Sequence, residues 1–134
     1  MKPVRVYVVF TSIDETIAAA TIASALARAM SVPLTLVHFQ TVHHAAEPDA
    51  PDVCSPLQTD HFRERLRFAG VDATIRVYLC RDPRAVFGLA FREGSLIVIG
   101  GRRRWWPTRA ESLRRELERN GHLVVFVDEA RHAA

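Results

Sequence analysis

The chain has 134 residues, is 49% hydrophobic and carries 18 lysines and arginines against 15 acidic residues, a net charge of +3. That suits one globular domain over residues 1–134, able to bury roughly two thirds of its unfolded surface without disulfide or metal staples. No charged leader with an apolar run opens it and no stretch approaches the about 20 apolar residues of a membrane span, so a cytoplasmic protein with no membrane partner is expected.

The first element is a strand. Val4 to Phe10 is a short, dense, β-branched run, the mark of a strand buried on both faces. Ser12 and Glu15 then stand at capping-box spacing and open a helix. Behind them Ile17, Ala20, Thr21, Ser24 and Ala27 recur at helical spacing, a stripe of small residues suited to close packing on a sheet. Arg28 falls off that stripe and should face solvent. After Pro33, Leu34 to Phe39 reads as the second strand.

Residues 41–56, rich in Pro, Asp, Ala and His, have no periodicity and read as a long flexible surface loop. Thr59 or Asp60 can cap a helix that aligns Phe62, Leu66 and Ala69 and stops at Gly70. Ala73 to Cys80 is a third strand. Asp82-Pro83 opens another helix, with Val86, Phe87 and Ala90 apolar and Gly94 at its end. Leu96 to Ile99 is a fully apolar strand. Thr108 and Glu111 repeat the box spacing before a helix with Leu113 and Leu117 inward and Gly121 at its end. Leu123 to Val127 is the last strand, and residues 128–134 read as a frayed tail.

Strands alternating with helices predict an α/β domain with a parallel sheet covered on both faces. In such sheets ligands bind at the carboxyl ends of the strands where the strand order reverses. For an order of the 3-2-1-4-5 kind, that point lies between the first and fourth strands. The loops concerned are Phe10 to Asp14 and Gly100 to Trp106. The second is led by Gly100 and Gly101, carries Arg102, Arg103 and Arg104, and feeds a helix start. Free amides at a helix start and arginines both favour a phosphate. A tight turn followed by a solvated basic loop explains the same residues, and both readings stand.

Several segments in order resemble the universal stress protein family over nearly the whole chain. Ser95 to Gly100 is similar to that family's fourth strand, which runs into its nucleotide loop. Asp82 to Val86 resembles the opening of its third helix, Ser112 to Val127 its last helix and strand, and Ala25 to His38 its first helix and second strand. The Arg- and Trp-bearing segment from Gly100 to Trp106 looks most like the universal-stress-like module of bacterial potassium-sensor histidine kinases.

The resemblance implies a five-stranded sheet of order 3-2-1-4-5, a homodimer through the last strand (Leu123 to Val127) and, in many members, bound ATP. An uncovered apolar edge is also an association surface on general grounds. The chain departs from the ATP-binding pattern. Thr11 stands where those members carry an acid, and Asp14 follows only a turn later. Arg81 replaces the glycine before the third helix. The second glycine of the nucleotide loop falls on Arg103, and the later Gly-Ser/Thr pair falls on Glu111-Ser112. A glycine admits a phosphate where a Cβ would clash, although arginines bind phosphate bidentately in a different geometry.

Other constellations carry less. Trp105 and Trp106 beside the arginines could stack a base, or pack on a sheet edge and a partner interface. No RNA-binding motif accompanies them, so nucleic acid is not the expected partner. His38, His43 and His44 cluster without a zinc spacing, and Cys54 and Cys80 are isolated. No Gly-x-Ser-x-Gly elbow occurs and Lys2 is the only lysine, which argues against a hydrolase triad or a phosphate-receiving domain. Two functions follow as expectations, neither of them enzymatic. One is a regulatory domain that lacks the usual ATP mode and works through a dimer or a sensor partner. The other is an adenine-nucleotide or cyclic-dinucleotide sensor using Thr11, Ser12, Asp14, Gly100 to Arg104 and Ser112.

Overall fold

The computed structural model describes residues 5–41, 55–101 and 109–128. In chain order these form β1 (Val6–Val9), α1 (Ile13–Met30), β2 (Leu34–Thr41), a 3₁₀ turn (Pro56–Gln58) leading to α2 (Asp60–Phe68), then β3 (Thr74–Cys80). A second 3₁₀ turn (Pro83–Val86) runs into the short α3 (Phe87–Ala90), followed by β4 (Leu96–Gly101), α4 (Arg109–Arg119) and β5 (Leu123–Asp128). The five strands make one parallel sheet, as the alternation of elements predicts, in the order β3-β2-β1-β4-β5 that the resemblance implies.

The period-two alternation of β1 divides the core. Val6 and Val8 join Leu36, Val98, Phe62 and Leu66 beneath α1 and α2. Tyr7 and Val9 join Val37, Ile97, Ile99, Phe91 and Leu117 beneath α3 and α4. The first two crossovers therefore lie on one face and the last two on the other, as crossovers of one hand produce in this strand order. All four residues of β1 and all six of β4 are buried, which is why both read as unbroken apolar runs.

α1 lies on the sheet through Thr16, Ala19, Ala20, Ala23, Ser24 and Ala27. The observed stripe is rotated from the expected one: Thr21 is exposed and bonds back to the Ile17 carbonyl at 2.8 Å, while Thr16, Ala19 and Ala23 are fully buried. In an Ala-rich helix the side chains differ too little in hydrophobicity to fix the rotation, and backbone fit decides it. Arg28 faces solvent as expected and its guanidinium donates to the Gly70 carbonyl.

Three helices end in the same way. Val32 N donates to Ala27 O and Ser31 N to Arg28 O, and the same double bond recurs at Val71 and Gly70, and at His122 and Gly121. These are Schellman motifs, which satisfy the last carbonyls by turning one residue left-handed. Gly70 and Gly121 take that position at φ 72° and 86°; in α1 it falls to a serine, Ser31, at φ 55°.

Three expected boundaries differ. The helix after Asp82-Pro83 begins as a 3₁₀ turn and stops at Ala90, with Gly94 in the following turn. Thr41 belongs to β2, and Ser55 caps the first 3₁₀ turn, so only residues 42–54 of the expected loop fall outside the described residues. Asp128 completes β5, and 129–134 lie outside the description. Among the described residues no helix is long and apolar enough to cross a membrane.

Candidate functional site

The reversal of strand order lies between β1 and β4. Their carboxyl ends bring Phe10, Thr11 and Ser12 beside Gly100 and Gly101. Ser12 is the N-cap of α1, its hydroxyl accepting the Glu15 amide at 3.3 Å. Thr16, one turn on, reaches back with its side-chain oxygen to accept the Thr11 amide at 3.1 Å. Thr11 in turn donates its hydroxyl to the Gly100 carbonyl at 2.9 Å. The two strand ends are thus tied across the point where a ligand would enter.

Gly100 has a packing role. A Cβ built there would stand 2.1 Å from the Glu15 carbonyl oxygen and 3.2 Å from the Ala19 Cβ. The first turns of α1 rest on the bare Cα of β4, and only glycine permits that approach. The glycine at the head of the nucleotide-like loop is required by the helix whether or not a phosphate visits it.

The remaining candidates are dispersed. Asp14 points away to an exposed ion pair with Arg65 of α2. Ser112 is exposed on α4. Gly101 is buried at the end of β4. Arg102, Arg103, Arg104, Trp105, Trp106 and Thr108 lie outside the described residues, as do Cys54, His43 and His44. Cys80 ends β3, buried, and its thiol is held above its usual range by burial and then by the neighbouring Asp82 carboxylate. Among the described residues no group of three or more His, Cys, Asp or Glu side chains could hold a metal ion.

Beside the crevice, on the α1/α2 face, the Phe10 ring meets His38 edge-on at 4.7 Å and Phe62 at 6.4 Å between centroids. His38 Nδ1 lies 2.7 Å from the hydroxyl of Ser55, itself fully buried, and Ser55 Oγ also accepts the Leu57 amide at 3.2 Å. The direction of the Ser55–His38 bond follows the ring's tautomer, since Ser55 Oγ keeps a second lone pair beside the one engaged by Leu57. Burial holds the His38 pKa below its usual value. Sequence reasoning placed His38 in a histidine cluster and missed its serine partner, 17 residues along and across the loop. It also missed Thr16, whose threonine four residues after the N-cap is the one local signal that α1 braces the Thr11 turn.

No family model matches the chain, and no curated protein matches it. Several solved structures resemble it, two of which follow. The universal stress protein of Archaeoglobus fulgidus superposes with a TM-score of 0.66 at 16% identity, over 92% of this chain and 93% of that one. A universal stress protein family member from Burkholderia pseudomallei superposes with a TM-score of 0.52 at 18% identity, over 92% and 96%. At such identities the likeness is one of fold, extending over nearly the full length of both neighbours.

Proposed function

We propose that this chain is a universal stress protein-like regulatory domain that does not bind ATP in the family's usual mode and acts through contacts with a second copy or a sensor protein. The observation that carries the reading is the 2.9 Å bond from the Thr11 hydroxyl to the Gly100 carbonyl. It bridges the two strand ends between which a nucleotide would lie, and it uses the residue that replaces the acid expected in ATP-binding members. The engagement of Asp14 by Arg65 supports it further, because that carboxylate is turned toward α2.

Partner contact is proposed at β5. It is an edge of the sheet, and Leu123 there is 64% exposed. An apolar edge strand with open backbone groups is a template for pairing. The resemblance of the Gly100 to Trp106 segment to a sensor-kinase module makes a signalling protein the proposed partner if the edge does not pair with itself. No catalytic step is assigned to the domain.

Calorimetric titration with Mg-ATP at physiological salt tests the reading. No saturable heat is expected. Micromolar binding that is lost in Arg102→Ala or Arg104→Ala would overturn it, and the chain would then be a nucleotide sensor that holds phosphate through arginine. A dimeric mass is expected in solution, and a monomer at all concentrations would remove the self-association half of the proposal.

A further inference from the structure

Among the described residues three buried side-chain polar atoms have no partner, Thr35 Oγ1, Ser95 Oγ and His122 Nδ1, and the last two stand together at the opposite end of the sheet. Ser95 immediately precedes β4 and His122 immediately precedes β5. The register pairs Leu96 with Leu123, so the two residues stand side by side one step before it. Ile97 and Val124 face the α3/α4 core, and the period-two alternation puts Ser95 and His122 on that same face. Ser95 is 1% exposed. The imidazole packs on the Phe91 ring at 5.6 Å, and Phe91 packs in turn on Tyr7 at 5.1 Å.

A buried hydroxyl and a buried ring nitrogen without partners cost free energy that folding seldom tolerates. The backbone amides of both residues are themselves engaged, Ser95 N with Arg92 O and His122 N with Leu117 O. We propose that Ser95 Oγ and His122 Nδ1 together hold one buried water molecule at the foot of the β4–β5 pair. The serine hydroxyl donates to the water and the water donates to Nδ1, which leaves the histidine proton on Nε2. A buried water needs at least two polar partners, and these two atoms supply them. Burial, which holds the His122 pKa below its usual value, favours the neutral ring that this bond requires.

The site is independent of the crevice and of the proposed function. The test is nuclear magnetic resonance of the whole chain with ¹⁵N-labelled histidine. Expected are a cross-peak between bound water and the His122 ring, and ¹⁵N shifts of the Nε2–H tautomer with Nδ1 hydrogen-bonded. In Ser95→Ala the water cross-peak should vanish. A cross-peak that persists in that variant would remove Ser95 from the site. A dry site, or a direct Ser95 Oγ to His122 Nδ1 bond in a high-resolution crystal structure, would overturn the proposal.

Discussion

Replacing Gly100 with alanine separates two reasons for a glycine. The added Cβ would meet the Glu15 oxygen at 2.1 Å and its carbonyl carbon at 2.8 Å, both backbone atoms that cannot swing aside. To reach an ordinary contact of about 3.4 Å, the first turn of α1 must retreat by about 1.3 Å. That movement loads the Thr11–Gly100 and Thr11–Thr16 bonds, which tie the same turn to the sheet. Overpacking costs roughly 1–3 kcal/mol and a broken hydrogen bond about 1 kcal/mol, so Gly100→Ala should destabilise by about 2–4 kcal/mol. Urea unfolding measures it as a lower midpoint at unchanged m-value. Gly88→Ala is the control. Its Cβ would meet nothing within 4 Å, and it lies within α3, so it should be neutral or stabilise by up to about 1 kcal/mol. If Gly100→Ala falls within about 0.5 kcal/mol of the parent, then α1 does not rest on β4 as described. The glycine would then have to be explained by a ligand.

Three further outcomes are expected. Ser31→Gly should raise stability by about 0.5–1 kcal/mol, because it relieves a left-handed serine while adding freedom to the unfolded chain, and a thermal melt reads it. Thr11→Val, which keeps the shape and removes the donor, should cost about 1 kcal/mol in urea unfolding, and an unchanged midpoint would dismiss the bond to Gly100 as incidental. Stability should fall with acid. Burial lowers the pKa of both His38 and His122, so below about pH 6.5 the unfolded chain binds protons that the folded chain refuses. The loss should begin there and level off once pH has passed the folded pKa values. Denaturation midpoints between pH 8 and 5 that do not decline would contradict it.

The parallel sheet and the two-faced core were legible because they rest on strong, repeated signals, whereas the strand order came from the resemblance. Val6 to Val9 and Leu96 to Ile99 are apolar without interruption, and the caps at Ser12, Thr59 and Asp82 use side chains whose chemistry is local. The rotation of α1 was not legible, since alanine gives no contrast between faces and the deciding contact is between backbone atoms at Gly100 and Glu15. The length of α3 was misjudged for a related reason. Asp82, Pro83 and Gly94 punctuate the segment correctly, but punctuation does not say how much of the interval is α-helical. The crevice itself was located by topology alone. That Thr11 closes it depends on a hydrogen bond spanning 89 residues, which no local pattern encodes.

That bond also changes what the missing acid means. A carboxylate at position 11 is an acceptor only, and so is the Gly100 carbonyl; at the 2.9 Å now occupied by the threonine hydroxyl the two would repel. An acid there has to turn outward, into the space that a ligand would occupy. A threonine can turn inward and tie β1 to β4. On the proposed reading, the loss of a nucleotide contact and the gain of a brace are one change. Asp14 does not compensate in the same sense. Its ion pair with Arg65 is solvent-exposed and worth at most about 1 kcal/mol, so a bound ligand could release it at little cost. The Thr11 brace is partly buried and has a second bond behind it through Thr16. If nucleotide binding can be introduced into this crevice, the change that introduces it lies at position 11, and freeing Asp14 alone will not suffice.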